Sequence, residues 1–445
     1  MLRDCRTTPP ASLPRGLGPN RKLFLAQLVQ VLFVGMMVGM QRPVLPPLAE
    51  SEFGLPRGTF ALVAGLVISF GIVKAVMNFV AGQMAERLGR RPTLLLGWLV
   101  ALPIPFLYFL APSWGWFLLA NALLGINQGL AWSMTVTAKF DIAHPHERGL
   151  ATGLNEFMGY SGVALAGFLA AAAATVFDAR ATLTGFALLV ILAGLALGWA
   201  FFAETIGHAR AETVREAEAA NRTAGGGRRT DAPSAREAFL HVSLHDRTLA
   251  LLSQAGAVEK FVDALIWVLL PVQLHRQGAS LPQIGIVTTI YGLVWGAGQL
   301  VTGPLSDRTG RKWPAIAGMW LAGLGTLAFL PAGGMIGWSG AAALTGIGMA
   351  LLYPTLIAAV GDRAPARMRG ASLGVYRFWR DLGYAIGGIV MALAVGRRED
   401  LAAGILMVGI AMLISGAALL AMEETLPRAL RRGRPARPEG KGGRG

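Results

Sequence analysis

Eight ionisable side chains interrupt the long apolar runs of this 445-residue chain: Lys74, Glu156, Glu259, Lys260, Asp263, Arg377, Arg380 and Asp381. Four are bases and four are acids. Helical spacing groups them with other polar residues. Lys74 and Asn78, Glu156 and Tyr160, Glu259 and Asp263, Asp263 and Trp267, and Arg377 and Asp381 are each four apart and share a helix face. Tyr376 and Tyr384 each lie four from Arg380. Paired arginines suit a carboxylate, sulfate or phosphate, because the planar guanidinium donates two parallel hydrogen bonds. Glu259 and Asp263 are candidates for carrying protons, since neighbouring carboxyls in a low dielectric resist ionising together. Lys260 works against that by favouring the charged form. Asn127, Gln128, Trp132 and Ser133 add hydrogen-bonding groups that serve either a solute or a neighbouring helix. The structural alternative for the charged set is ion pairing that locks helices together.

These residues need elements that hold them in an apolar medium. The chain is 54% hydrophobic and 15% charged, against about 25% charged in soluble domains. A helix of about 20 apolar residues crosses about 30 Å of hydrocarbon. Twelve such spans are expected, at about 23–40, 58–82, 92–112, 114–138, 149–175, 181–203, 247–272, 281–303, 313–332, 334–360, 370–396 and 401–422. The fold class is therefore an all-α polytopic membrane protein. Its net charge of +15 is read as topology and not as nucleic-acid binding. Thirty of the forty Lys and Arg residues fall in alternate segments that include both termini, and six fall in the opposite loops: Arg42, Arg57, Arg180, Arg276, Arg397 and Arg398. That asymmetry places both termini and the long linker in the cytoplasm. Cys5 is the one cysteine, which excludes an internal disulfide and a thiolate metal cluster. The six histidines fall in predicted loops, so no metal or other cofactor is expected. The His144-Pro145-His146 pair reads as a turn. Residues 1–21 are too polar for a signal-peptide core.

The chain is also a repeat. Gly82-x-x-x-Glu86-Arg87-x-Gly89-Arg90-Arg91 returns 221 residues later as Gly303-x-x-x-Asp307-Arg308-x-Gly310-Arg311-Lys312. Both copies sit between apolar runs and are too polar to cross lipid, so each is a short surface turn. The same offset aligns Gly71 with Gly292, Asn78 with Gln299, Gly125 with Gly346 and Asp141 with Asp362. It also aligns Arg148-Gly149-x-x-x-Gly153 with Arg369-Gly370-x-x-x-Gly374. Six spans duplicated in parallel make two bundles related by an axis along the membrane normal.

On these motifs the chain resembles the major facilitator superfamily over nearly its whole length. The family signature between its second and third helices is Gly-x-x-x-Asp-Arg-x-Gly-Arg-Arg/Lys, kept in both halves except that Glu86 replaces the first Asp. The resemblance implies twelve helices in two pseudo-symmetric six-helix bundles, a central cavity and alternating access. In that fold helices 3, 6, 9 and 12 are peripheral, and they carry none of the eight charges. The turn after helix 2 abuts helix 11, and the turn after helix 8 abuts helix 5. Glu86 is then expected to cap helix 11 near Gly370–Ser372, and Asp307 to cap helix 5 near Gly149–Ala151. Arg90 is expected to pair with Asp141, and Arg311 with Asp362. Three family features are absent. Gly125 stands where many members place an arginine. The fifth span lacks the proline of drug antiporters. No Pro-Glu-Ser-Pro sugar-porter motif follows the sixth.

The expected organisation is an N-terminal segment (1–21), a bundle (22–203), a polar linker (204–246) that includes a helical piece near 209–220, a second bundle (247–422) and a basic disordered tail (423–445). The function this supports is secondary active transport of a small anionic or zwitterionic solute, coupled to protons, by a monomer in a bacterial-type plasma membrane. Efflux of an amphipathic or cationic compound through Glu156, Glu259 and Asp263 is the alternative within transport. An enzyme needs a nucleophile–base pair or metal set at one depth, and the sequence holds none. A sensor needs a folded soluble domain, for which linker and tail are too small. The topology is testable: in a background with Cys5 replaced, Arg276→Cys is expected to react with an impermeant thiol reagent from outside the cell and Gly225→Cys is not. Labelling of position 225 from outside would reverse the orientation.

Overall fold

The computed structural model describes residues 13–54, 60–224, 234–395 and 400–427. Cys5, Arg57, the Gly225–Gly227 run, Arg228, Arg229, Arg397, Arg398 and the tail from 428 onward lie outside the described residues. Among the described residues the chain is helical and contains no strand. In the first half, α1 is Arg21–Gly39, α2 is Phe60–Arg87 and α3 is Arg90–Ala101 continued by Ile104–Leu110. Then come α4 (Trp114–Ile142), α5 (Arg148–Ala173) and α6 (Ala179–Phe201). In the second half, α7 runs Arg247–Ala264, through a π turn at Leu265–Leu269, to Leu270–Arg276. It is followed by α8 (Leu281–Thr309), α9 (Lys312–Ala328), α10 (Gly334–Arg363), α11 (Arg369–Val395) and α12 (Leu401–Ala418). A linker helix, Ile206–Ala224, joins the halves. Eight of the spans are long and apolar enough over the described residues to cross a membrane.

Local chemistry explains the breaks. Pro103 and Pro105 lack N–H donors, and α3 restarts at Ile104. The π turn in α7 directly precedes Pro271, whose missing donor interrupts the ladder. Both signature turns close on a glycine with positive φ, Gly89 at 105° and Gly310 at 100°, a backbone that side chains disfavour. The α4 helix continues to Ile142, four residues past the expected end of its span.

Glycines set the helix spacing. Within the first half, Gly35 and Gly39 of α1 lie against the backbone of Gly159 and Val163 in α5. Within the second, Gly383 of α11 lies against the Ala257 carbonyl of α7. Between the halves, Gly82 of α2 meets Gly370 and Gly374 of α11, and Gly303 of α8 meets Gly149 and Gly153 of α5. Small residues let helices associate in lipid through close backbone contact. The helices α3, α6, α9 and α12 pack within their own halves. Phe106, Phe109, Phe168, Trp199 and Leu393 point outward, as a lipid-facing surface requires.

The inter-half glycines lie near the two signature turns, so the halves are closed together at that basic face. A Cβ on Gly303 would collide with the Gly149 carbonyl, which belongs to the opposite half. Gly303→Ala is expected to favour opening of the basic face, read as faster thiol labelling of cysteines placed beside Arg377. Gly383→Ala, which crowds two helices of one half, is expected instead to lower thermal stability by about 1–3 kcal/mol.

Candidate functional site

The charged residues meet midway along the helices, where the two halves touch. Asp381 of α11 is their hub. It accepts from Asn78 Nδ2 at 2.7 Å and Arg380 Nε at 3.0 Å, and pairs with Lys74 Nζ at 3.5 Å. Asn78 in turn accepts from the Ser133 hydroxyl at 2.8 Å. Glu156 of α5 accepts from Trp132 Nε1 at 3.0 Å and Asn155 Nδ2 at 2.9 Å, and faces Arg377 Nη2 at 3.7 Å. A third group lies in the second half. Lys260 Nζ bonds Asp263 at 2.7 Å and faces Glu259 at 3.5 Å, while Asp263 also accepts from the Tyr291 and Tyr384 hydroxyls. The Lys260 ammonium lies 4.5 Å from the Tyr353 ring centroid and 5.4 Å from that of Trp295. Arg380 stacks 4.7 Å from the same tyrosine ring. Tyr160 packs on Trp295 with centroids 4.3 Å apart. The eight charged side chains are buried in this state, so the site is closed to solvent.

Some groups in this cluster remain unsatisfied. Among the described residues, Arg377 Nε and Nη2, Arg380 Nη1, the Tyr376 hydroxyl and both Glu259 carboxyl oxygens have no hydrogen-bond partner. Buried polar atoms are normally paired, so this concentration makes the cluster the candidate site.

Three expectations change with the structure. Asn127 donates to the Gly97 carbonyl at 3.0 Å and Gln128 to the Val34 carbonyl at 2.8 Å. Both amides tie α4 to neighbouring helices of its own half, because a backbone carbonyl in apolar surroundings is the nearest competent acceptor. Trp267 lies apart, beneath the Arg42 guanidinium at 4.5 Å, near the end of the molecule opposite the signature turns. Lys139, assigned to a loop because the span was ended at 138, is buried within α4. It donates to Asn155 Oδ1 at 2.8 Å, beside Glu156.

At the basic face, the signature residues form a second network. The Gly370 N–H donates to Glu86 at 2.8 Å, and the N–H groups of Gly149 and Leu150 donate to Asp307 at 2.8 and 2.7 Å. Each carboxylate sits at a helix N-terminus of the opposite half, where free N–H groups and the helix dipole favour negative charge. Arg90 bonds Asp141 at 2.7 and 3.1 Å, and Arg311 bonds Asp362 at 2.9 Å. Arg148 crosses the interface to Asp362 at 2.9 Å. Arg87 and Arg308 are exposed beside these turns.

Residues outside the expected set complete this face. Glu204 accepts from the N–H groups of Arg90 and Arg91 at the start of α3, and Glu424 from those of Arg311 and Lys312 at the start of α9. The repeated Glu-Thr pairs 204–205 and 424–425 carried the signal, but their offset is 220 and not 221. Glu212 of the linker helix bonds Arg369 and Arg15, each at 2.6 Å, and faces Arg148 at 3.6 Å. It thus joins the first residue of α5 to the first residue of α11. Burial would raise the Glu212 carboxyl, but Arg369, Arg148 and Arg15 outweigh it and hold it at about 2.

Two repeated six-helix halves with a buried polar site between them and cross-half contacts at one face are the architecture of a membrane transporter. The Major Facilitator Superfamily model matches residues 28–258 and 252–443, and the chain belongs to that family. A Salmonella typhimurium protein described as an uncharacterized MFS-type transporter is 31% identical over 113 residues, which span 24% of this chain and 28% of that relative. The chain thus matches less than a third of that relative's length. Among solved structures, the human organic anion transporter MFSD10 aligns with a TM-score of 0.73 at 18% identity, covering 90% of this chain and 99% of the other. The proton:xylose symporter XylE aligns at 0.69 with 15% identity, covering 91% and 97%. Likeness at these identities carries the fold.

The Glu212 contacts generate a test. A carboxyl depressed from 4.5 to about 2 contributes its full stabilisation above the ordinary carboxylate range and loses it only as pH falls towards 2. Glu212→Gln is therefore expected to raise thiol labelling of site cysteines from the basic face severalfold. In the parent protein, titrating from pH 8 to 5 is expected to leave this contribution unchanged.

Proposed function

We propose that the protein is a proton-coupled secondary transporter of a small anionic or zwitterionic solute. The observation that carries this is the pair of buried arginines. Among the described residues, Arg377 Nε and Nη2 and Arg380 Nη1 have no hydrogen-bond partner, and a guanidinium has the fork geometry that suits a carboxylate or phosphate. Three of the acids already accept strong donors, which disfavours a cationic solute. Glu259 is the exception: neither oxygen accepts a hydrogen bond. It only faces Lys260 Nζ at 3.5 Å, which makes it the least engaged of the four acids, and we assign it the coupling role. One structural neighbour is described as an organic anion transporter, which agrees with this reading without establishing it.

In the same reading the basic face is cytoplasmic. Arg15, Leu17, the linker helix and Glu424 bond to residues of that face, which supports this orientation in a bacterial-type inner membrane. The signature caps bridge the halves when that face is closed, which makes them stabilisers of the outward-facing or occluded states.

The test is uptake into proteoliposomes of radiolabelled carboxylates, phosphates, amino acids and organic cations, with and without an inward proton gradient. Uptake of anions or zwitterions, increased by the gradient, is the expected result. Arg377→Lys is expected to lower that uptake at least tenfold, because an ammonium cannot reproduce the fork. Gradient-driven movement of cations alone would overturn the assignment.

A further inference from the structure

The 221-residue offset relates the two walls of the site, and the walls differ in chemistry. Lys74 corresponds to Trp295, Asn78 to Gln299, and Tyr160 to Asp381. On the wall between α2 and α11, Lys74, Asn78 and Asp381 form a bonded ionic set. On the wall between α8 and α5, the equivalent contact is aromatic: Trp295 packs on Tyr160. Tyr353 closes the group at 5.5 Å from Trp295.

The aromatic wall has an unsatisfied polar edge. Trp295 and Gln299 are four apart on α8 and so share a face. Both are fully or nearly buried, at 2% and 0% exposure. Trp295 Nε1 and both amide atoms of Gln299 have no hydrogen-bond partner among the described residues. Asn78, the counterpart of Gln299, uses its amide fully. Asn127 and Gln128 each reach a backbone carbonyl. Gln299 reaches nothing, which separates it from an interhelical tie. Its amide offers a donor and an acceptor side by side.

We propose that this wall binds the ring of a planar aromatic or heteroaromatic solute. The ring face rests on Trp295 and Tyr160, and a donor–acceptor edge of the ring, such as a lactam or amide, pairs with Gln299. Its carboxylate or phosphate points to Arg377 and Arg380, and in that respect the proposal rests on the anion reading above. Aromatic faces supply contact area at low entropic cost, and a few placed polar groups fix orientation.

Calorimetric titration of the purified full chain in nanodiscs tests it with four probes: orotate, benzoate, cyclohexanecarboxylate and nicotinamide. Benzoate is expected to bind at least tenfold more tightly than cyclohexanecarboxylate, which has the same charge but no aromatic ring. Orotate, with a lactam edge, is expected to bind more tightly still. Gln299→Leu is expected to reduce orotate to the affinity of benzoate while leaving benzoate within about twofold. The unmodified protein's probe series is decisive even if that variant fails to fold. Equal affinities for the three ring acids overturn the aromatic wall and leave the anion reading intact. Binding of nicotinamide with none of the acids keeps the wall and overturns the anion reading. Binding of no probe overturns the proposal.

Discussion

A charged side chain inside a membrane-spanning helix has no bulk water to solvate it, and the arrangement of this protein follows from that constraint. Asp381 sits beside two bases and an amide, and Asp263 beside a lysine and two tyrosine hydroxyls. Lys74 and Asn78 reach Asp381 from α2, and Tyr291 and Tyr384 reach Asp263 from α8 and α11, so those pairings also fix how the helices are turned. Contacts through Asp381 reach across the two halves, from α11 to α2. Those through Asp263 stay within the second half. The central charges therefore hold the interface while leaving some donors without a partner among the described residues.

The basic face applies the same constraint differently. There the buried acids meet helix N-termini, where backbone N–H groups are already free. Glu86 and Asp307 each cap a helix of the opposite half, and Glu204 and Glu424 cap a helix of their own half. The first pair resists separation of the halves, and the second keeps each half rigid. Glycines at 82, 149, 303 and 370 permit the backbone approach that such caps need. Glu212 adds a contact that the repeat cannot supply twice, because one linker serves both halves. Its three arginine partners make it a single tie across a symmetric seam. A rigid-body separation of the halves at this face must break these contacts together, which gives the closed state a defined energy relative to an open one.

Much of this was legible in the sequence. Spans, repeat and signature turns follow from hydropathy and spacing, since a membrane leaves helices few alternatives. The eight charges were visible because an ionised residue stands out in an apolar run. The Arg90–Asp141 and Arg311–Asp362 pairings were expected from the family resemblance, and the repeat aligns one pair with the other. Lys139 was hidden by its position at a helix end, where one extra turn of α4 moves a residue from surface to interior. Trp295 and Tyr353 were hidden because an aromatic residue in an apolar helix looks like packing.

What the sequence determined by itself was which residues must be buried and that two halves must face each other, because both follow from solvation and duplication. What only the tertiary structure decided was the partner of each polar group. Asn127, Asn78 and Gln299 are amides in apolar helices and look alike along the chain. One bonds a neighbouring backbone, one bonds Asp381 and one has no side-chain partner among the described residues. Hydrogen bonds act over about 3 Å, and no local pattern specifies which helix from elsewhere in the chain arrives at that distance.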